Sequence, residues 1–216
     1  MTEQRPSGSQ HYRGSLNTLS AAIAELGHEA GKLRIDSEQE AQGEPGAQEE
    51  QGEEQSRQDP LTGIASRSAY ERRLRQELAH RKRCGSPLVA QLWYVDDFDV
   101  INEEYGQEAS DQILQLIAKI MKMHLRKADY IAQYDDGRFA VLLPATDLKA
   151  ARWVADRLCR AAGRSEFRHE GAQMRVTVTG GYVVVREGDT LETLLERTEA
   201  ALNQVKATGR NRYYVG

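Results

Sequence analysis

The chain has 216 residues, with 29 Lys and Arg against 33 Asp and Glu and a formal net charge of −4. This length leaves room for one ordinary domain with an appendage and excludes two large domains. The apolar stretches are strand-sized, shorter than the roughly 20 residues of a membrane-spanning helix, so no membrane insertion is expected. A nucleic-acid partner is not expected either. The polar N-terminal residues and two isolated cysteines, Cys84 and Cys159, predict a cytoplasmic protein without disulfides.

Residues 1–58 differ in composition from the rest of the chain. They hold 5 basic and 11 acidic residues, whereas the chain from Asp59 onward holds 24 basic and 22 acidic residues. Residues 36–58 contain no large apolar side chain, which predicts a disordered acidic linker. Residues 1–35 carry an apolar stripe at helical spacing, formed by Leu16, Leu19, Ile23, Leu26, Ala30 and Leu33. The stripe predicts an amphipathic helix that forms a homodimer, binds a partner protein or merely docks, and the sequence leaves these alternatives open.

From Asp59 onward the pattern is that of a globular domain, over residues 59–216. Apolar periodicity predicts helices at residues 66–83, 100–105, 109–125, 147–162 and 191–206. Short apolar runs predict strands at residues 88–95, 130–134, 138–143, 174–185 and 213–215. Asp135, Asp136 and Gly137 separate the second and third of these strands and are typical of a tight hairpin. The alternation of strands and helices predicts an α+β fold with a mostly antiparallel sheet flanked by helices.

Five segments of this region occur in the order and spacing of a known family. They are Asp59 to Gly63 (Asp-Pro-Leu-Thr-Gly), Phe98 with Ile101 and Asn102, Asp111, the hairpin that leads into Phe139 to Pro144, and Lys206 to Asn211. On these residues, the chain resembles the GGDEF domain, the catalytic domain of diguanylate cyclases, which join two GTP molecules into cyclic di-GMP. The resemblance implies a five-stranded sheet flanked by helices, related to nucleotide cyclase and polymerase palm domains.

The signature hairpin departs from the family pattern of Gly-Gly-Asp/Glu-Glu-Phe. In its place the chain has Asp135, Asp136, Gly137, Arg138 and Phe139. The family's magnesium-binding carboxylate on the hairpin matches Gly137, and its other metal-binding carboxylate, on the neighbouring strand, matches Tyr94. The family's lysine that faces the triphosphate matches Asp99. Because magnesium prefers carboxylate and phosphate oxygens, the resemblance implies a degenerate site without catalytic residues, bound magnesium or another cofactor.

Two other groups of residues match family positions for guanine and phosphate binding. Asn102 and Asp111 match the family's guanine-reading pair, and Lys206 and Arg210, placed one helical turn apart, match its phosphate contacts. Both pairs have an alternative structural explanation. Asn102 and Asp111 are suitable helix caps, and Lys206 with Arg210 complements a helix C-terminus. GTP binding therefore stays open.

A second nucleotide site is better preserved. Arg126 and Asp129 match the family's Arg-x-x-Asp motif, which binds the product cyclic di-GMP, and Arg157 matches an arginine that supplements it. A guanidinium pairs with phosphate or with the guanine O6/N7 edge, and a carboxylate accepts from guanine N–H groups. The alternative is an ion pair at a helix end. The sequence therefore predicts an inactive cyclic di-GMP receptor, with a ligand-independent interaction module and a residual cyclase as alternatives.

Overall fold

A computed structural model describes residues 57–216. In chain order, these residues form α1 (Arg67–Cys84), β1 (Leu88–Val95), α2 (Phe98–His124), β2 (Tyr130–Asp135), β3 (Arg138–Pro144), α3 (Leu148–Gly163), β4 (Glu166–His169), β5 (Ala172–Arg175), β6 (Val178–Val184), α4 (Leu191–Lys206) and β7 (Tyr213–Val215). None of these helices is long and apolar enough to cross a membrane. The predicted N-terminal helix and the linker up to residue 56 lie outside the described residues.

The main sheet has five strands in the order β2-β3-β1-β6-β7. β1 pairs antiparallel with β3 and β6, and only the short edge strand β7 runs parallel to its neighbour within the described domain. This arrangement confirms the predicted α+β fold with a five-stranded, mostly antiparallel sheet. The sequence analysis assigned Arg57 and Gln58 to the linker. In the structure, the Arg57 carbonyl accepts a hydrogen bond from the Ser66 backbone N–H, and Gln58 forms an isolated β-bridge with Ala65.

Alternating side chains of β1 separate two apolar layers. Val89 and Trp93 pack with residues of α2 and α3, whereas Leu88 and Leu92 pack with residues of α1 and α4. Successive side chains of a strand point to opposite faces, so a strand covered by helices on both faces becomes a continuous apolar run. This double burial explains why β1 is so apolar.

Polar caps fix where the helices begin. The side chains of Ser66, Asp147 and Thr190 accept hydrogen bonds from backbone N–H groups at the starts of α1, α3 and α4. Each cap satisfies one of the donors that have no partner within the helix. The starts of α1, α3 and α4 agree with the predicted ones to within one residue, whereas α2 begins two residues earlier than predicted.

The predicted strand at residues 174–185 was wrong. The structure divides it into β5 and β6, and β5 pairs with β4, which the sequence interpretation missed, in a separate two-stranded sheet. Glu170 and Gly171 connect β4 and β5 with positive φ angles of 47° and 85°, as expected for a two-residue hairpin. The break before β6 lies at Thr177, whose carbonyl and hydroxyl oxygens bind Asp96.

The predicted helices at residues 100–105 and 109–125 are two arms of α2. They meet at Gly106, whose φ of 80° and ψ of 175° are not helical. This region of backbone conformation is essentially restricted to glycine. The non-helical backbone at Gly106 therefore separates two helical arms, in agreement with the two predicted helices.

Candidate functional site

The tip of the β2–β3 hairpin lies beside the end of β1. Tyr94 is the cross-strand partner of Arg138, and the backbone N–H of Val95 donates to the Gly137 carbonyl at 2.9 Å. The turn comprises Asp136 and Gly137. Asp135 was predicted to belong to this turn, but it is the last residue of β2. The register therefore brings Tyr94, Gly137 and Arg138 together.

Carboxylates surround the guanidinium of Arg138. It donates two hydrogen bonds to the Asp135 carboxylate, and its Nη1 donates to Glu199 of α4 at 2.9 Å. The hydrogen bond to Asp135 is the main cause of a raised pKa for Arg138. Arg138 is therefore a permanent cation whose charge is already balanced by two neighbouring acids.

The phenol of Tyr94 is also engaged. Its hydroxyl donates to Asp99 at 2.9 Å, and the Lys206 ammonium lies 3.5 Å from the centre of its ring. Burial, together with the hydrogen bond to Asp99, raises the pKa of Tyr94 to about 12. The phenol is therefore neutral near pH 7, and its ring forms a cation–π contact with Lys206.

The loop after α4 is attached to the end of β1. Arg210 forms an ion pair with Asp97, and the buried Asp96 accepts from the backbone N–H of Asn211 at 2.9 Å. One expectation is corrected here. Arg210 lies beyond α4, which ends at Lys206, so the two residues are not one helical turn apart. Asp97 has a left-handed φ of 57° and does not continue the extended chain of β1.

Asn102 and Asp111 lie on the two arms of α2, on either side of the Gly106 kink. The Asn102 side-chain oxygen accepts from the Ser110 hydroxyl at 3.1 Å, and the Asp111 carboxylate accepts from the Gln107 amide at 2.7 Å. Neither residue caps a helix, which removes that alternative explanation. The kink thus places the Asn102 side chain next to the residue that precedes Asp111.

Arg126 and Asp129 form a tight turn after α2. The Asp129 carboxylate accepts from the Arg126 backbone N–H at 2.8 Å, and the Asp129 N–H donates to the Arg126 carbonyl at 3.0 Å. The carboxylate therefore binds the backbone, and the ion pair considered from the sequence is not formed. Within residues 57–216, the exposed Arg126 guanidinium has no ion-pair or hydrogen-bond partner.

Arg157 of α3 lies next to this turn. Its Nη2 donates to the carbonyl of His124, the last residue of α2, at 2.5 Å. Cations are favoured at a helix C-terminus, where carbonyl groups lack partners within the helix. The structure thus joins Arg157 to the chain two residues before Arg126.

A groove between α2 and α3 continues from Arg157, and the sequence interpretation missed most of its residues. It has a volume of about 670 Å³ and is lined by Leu116, Ile120, Met123, His124, Trp153, Arg157, Arg160, Ala161, Arg164 and Ser165. Trp153 precedes Arg157 by four residues, a spacing that places both on one helix face. This spacing was the sequence signal that could have indicated that Trp153 lies near Arg157.

The residues that the structure describes contain no cluster of side chains that could hold a metal ion. Across residues 57–216, no three His, Cys, Asp or Glu side chains are arranged to hold a metal ion. At the hairpin tip, Asp97 and Asp135 each contact an arginine. The chemistry available at this tip is that of paired charges and a neutral phenol.

The family model described as "Diguanylate cyclase, GGDEF domain" matches residues 56–212. The chain therefore belongs to the GGDEF domain family of diguanylate cyclases. It is 38% identical over 157 residues to the diguanylate cyclase DgcP of Pseudomonas aeruginosa, a match that covers 73% of this chain and 23% of DgcP. It is 31% identical over 156 residues to the response regulator PleD of Caulobacter vibrioides, covering 71% of this chain and 34% of PleD. The chain thus spans about a quarter of the length of DgcP and about a third of the length of PleD.

Solved structures support the same family. The diguanylate cyclase SiaD of Pseudomonas aeruginosa, in complex with its activator SiaC, matches with a TM-score of 0.73 and 26% identity, covering 96% of this chain and 75% of SiaD. The GGDEF domain of DgcB from Caulobacter crescentus, in complex with cyclic di-GMP, matches with a TM-score of 0.72, covering 74% of this chain and 95% of that domain. At 21% identity, the DgcB match concerns the fold alone.

Proposed function

We propose that this GGDEF domain is catalytically inactive and binds cyclic di-GMP through Arg126, Asp129 and Arg157. The observation that carries the proposal is a contrast between two places in the domain. At the hairpin tip, Arg138 and Arg210 are paired with acids and Lys206 lies on the Tyr94 ring. At the turn after α2, the exposed Arg126 guanidinium is unpaired among residues 57–216.

The residues at the hairpin tip do not fit magnesium. Tyr94 is a neutral phenol with a pKa of about 12, and Gly137 offers no side-chain oxygen. Magnesium favours carboxylate and phosphate oxygens in near-octahedral geometry. Joining two GTP molecules requires charge stabilisation at the attacked phosphate, to which a metal contributes several kcal/mol. Asp99 and Asp136 would add repulsion toward a triphosphate, so the cyclase reaction lacks both its metal and its electrostatic support.

The turn after α2 has the opposite character. Because the Asp129 carboxylate accepts from the Arg126 backbone, the turn is held in shape without using the Arg126 guanidinium. In the proposed complex, the second oxygen of Asp129 accepts from a guanine edge, while Arg126 and Arg157 donate to a phosphate or to the O6/N7 edge. This set of donors and acceptors is suited to a guanine nucleotide with negative charge.

Calorimetric titration of the purified chain with cyclic di-GMP tests the binding proposal. Arg126→Ala should weaken binding by about 1.5–3 kcal/mol, the range for a hydrogen bond to a charged group. Lys127→Ala, a change of the exposed neighbour in the same turn, is the matched control and should bind nearly as the unmodified chain does. Equal affinity in the Arg126→Ala and Lys127→Ala variants would move the ligand elsewhere, to the region of Asn102 and Asp111.

Product analysis tests the loss of activity. The chain incubated with GTP and magnesium or manganese should yield no cyclic di-GMP above background. Turnover by the unmodified chain would support the residual cyclase, which the 38% identity to DgcP makes a relevant alternative. GTP binding without turnover would assign Asn102, Asp111, Lys206 and Arg210 to a retained nucleotide pocket.

A second candidate is a ligand-independent interaction module. The match to SiaD, whose structure is a complex with an activator protein, favours this alternative. In that case the chain acts on a partner protein with no response to cyclic di-GMP, and the apolar stripe within residues 1–35 supplies the contact. We place either function in the cytoplasm, since the free thiols Cys84 and Cys159 suit a reducing compartment.

A further inference from the structure

The groove between α2 and α3 has an unusual exposed surface. Trp153 is 65% exposed and Met123 is 64% exposed, although both are large apolar side chains. Leu116, Ile120 and Ala161 line the same groove. A contiguous exposed apolar surface of this kind is typical of a binding site. A flat ring or an apolar chain is the kind of group that such a surface receives.

The rest of the groove is cationic. Arg157, Arg160 and Arg164 line it, and within the part of the chain that the structure describes no Asp or Glu does. Arg157 and Arg160 donate to the backbone carbonyls of His124 and Asp156, and neither forms an ion pair with a carboxylate within residues 57–216. Backbone carbonyls orient a guanidinium without neutralising it. The groove thus combines an indole ring and apolar side chains with uncompensated positive charge, a combination that suits a nucleotide.

We propose that this groove receives one guanine base of cyclic di-GMP, stacked on Trp153, with the phosphates facing Arg157 and Arg160. The inference rests on the proposed function, because Arg157 lines the groove and also lies beside Arg126 and Asp129. Cyclic di-GMP has two bases and two phosphates. The turn at Arg126 and Asp129 reads one guanine edge, and Trp153 holds the other base by its face. The volume of about 670 Å³ lies within the range of small-molecule sites.

Intrinsic fluorescence tests the stacking directly. The chain has 2 tryptophans. Trp93 is fully buried in the core, so a ligand in the groove stacks only on Trp153. Titration with cyclic di-GMP should quench the emission of the unmodified chain. Trp153→Phe keeps an aromatic ring that can stack on the base but removes the fluorescent indole. Binding should therefore persist, and the quenching should disappear.

Calorimetry gives the energetic test. Trp153→Ala should weaken cyclic di-GMP binding by roughly 5- to 150-fold, the effect of removing one aromatic ring from a stacked base. Leu148→Ala is the control, because Leu148 is also an exposed apolar residue of α3, at 47%, and does not line the groove. It should change affinity less than twofold. Circular dichroism of both variants checks that α3 is intact.

The outcomes separate this inference from the proposed function. If cyclic di-GMP binds in an Arg126-dependent manner but neither quenches Trp153 nor responds to Trp153→Ala, the stacking proposal is overturned and the receptor function stands. If the unmodified chain does not bind cyclic di-GMP, the receptor function fails and this inference fails with it. Loss of affinity in Trp153→Ala with full affinity in Trp153→Phe supports the stacking.

Discussion

At the scale of single residues, the hairpin tip is stabilised by interactions of its own side chains. The cation–π contact of Lys206 with Tyr94 contributes about 0.5–1 kcal/mol where it is exposed. The partly exposed ion pairs of Arg138 contribute up to about 1 kcal/mol each. These contacts hold the side chains in place without a ligand. They give Tyr94, Arg138 and Lys206 a structural role.

Gly137→Glu should not create a metal site and should destabilise the domain. Gly137 has a φ of 73°, and a Cβ at this position would lie 2.9 Å from the Phe98 ring. The backbone strain alone costs about 1–3 kcal/mol. Thermal unfolding should show a clearly lower Tm, and incubation with GTP should give no product because Tyr94 is unchanged.

Gly188→Ala is the control for that variant. Gly188 has a φ of 85°, and a Cβ there would meet no atom within 4 Å. Its effect reports backbone strain alone, so Gly137→Glu should lower the Tm further. Equal Tm values for the two variants would contradict the contact with Phe98.

At the scale of elements, α2 connects the region of Asn102 and Asp111 with the turn at Arg126 and Asp129. Its kink at Gly106 lies between Asn102 and Asp111, and its last residue, His124, accepts the hydrogen bond from Arg157. The second arm is buried against β1 and α3 through Ile113 and Ile117. Because this arm is buried in the core, a substitution that strains the backbone at Gly106 should first change the position of the short first arm.

Gly106→Ala should destabilise the domain by about 1–3 kcal/mol, since its φ of 80° and ψ of 175° lie in a region almost exclusive to glycine. A Cβ at Gly106 would meet no atom within 4 Å, so the cost arises from the backbone alone. Urea denaturation measures it. Gly85→Asn provides the comparison, because the φ of 69° and ψ of 5° of Gly85 are left-handed values that asparagine tolerates. A smaller loss for Gly106→Ala than for Gly85→Asn would contradict this assignment of strain.

At the scale of the whole molecule, buried proton-bearing groups link stability to alkaline pH. Burial is the largest cause of the raised pKa values of Tyr94, Tyr182 and Cys159, each of which is about 12. Burial also raises the pKa of Tyr70. The ordinary values are about 8.5 for cysteine and about 10 for tyrosine. The folded state therefore retains protons that the unfolded state loses as the pH rises above these values.

The free energy of unfolding should accordingly fall from about pH 8.5 upward and continue to fall toward pH 12, because the unfolded state binds fewer protons there. Urea midpoints measured at about pH 8 and about pH 11 check this expectation. Tyr182→Phe removes a buried hydroxyl that has no hydrogen-bond partner within residues 57–216, and this variant should show a shallower decline. Unchanged midpoints over this pH interval would refute the linkage.

Self-association also belongs to this scale. The apolar stripe predicted within residues 1–35 suits pairing of two copies, and the acidic residues 36–58 carry no large apolar side chain. Deletion of residues 1–35 should therefore lower the mass measured by light scattering while the circular dichroism of the GGDEF domain is retained. If the full chain and the shortened chain have the same oligomeric state, both with and without cyclic di-GMP, the stripe does not mediate self-association. It would then serve only to bind a partner protein.

The sequence by itself determined most of the helices and strands and the presence of the β2–β3 hairpin, because apolar periodicity, caps and turn residues are local properties of the chain. It also led to Arg126, Asp129 and Arg157 as candidate site residues. Only the tertiary structure decided which charges are paired. Arg138 meets Glu199 across 61 residues of sequence, and Met123 and Trp153 share one groove although they lie on different helices. No local pattern encodes such contacts, since they depend on how helices pack on the sheet. The same reason explains the missed β4 and the division before β6, where Thr177 forms hydrogen bonds with Asp96, a residue far away in the sequence.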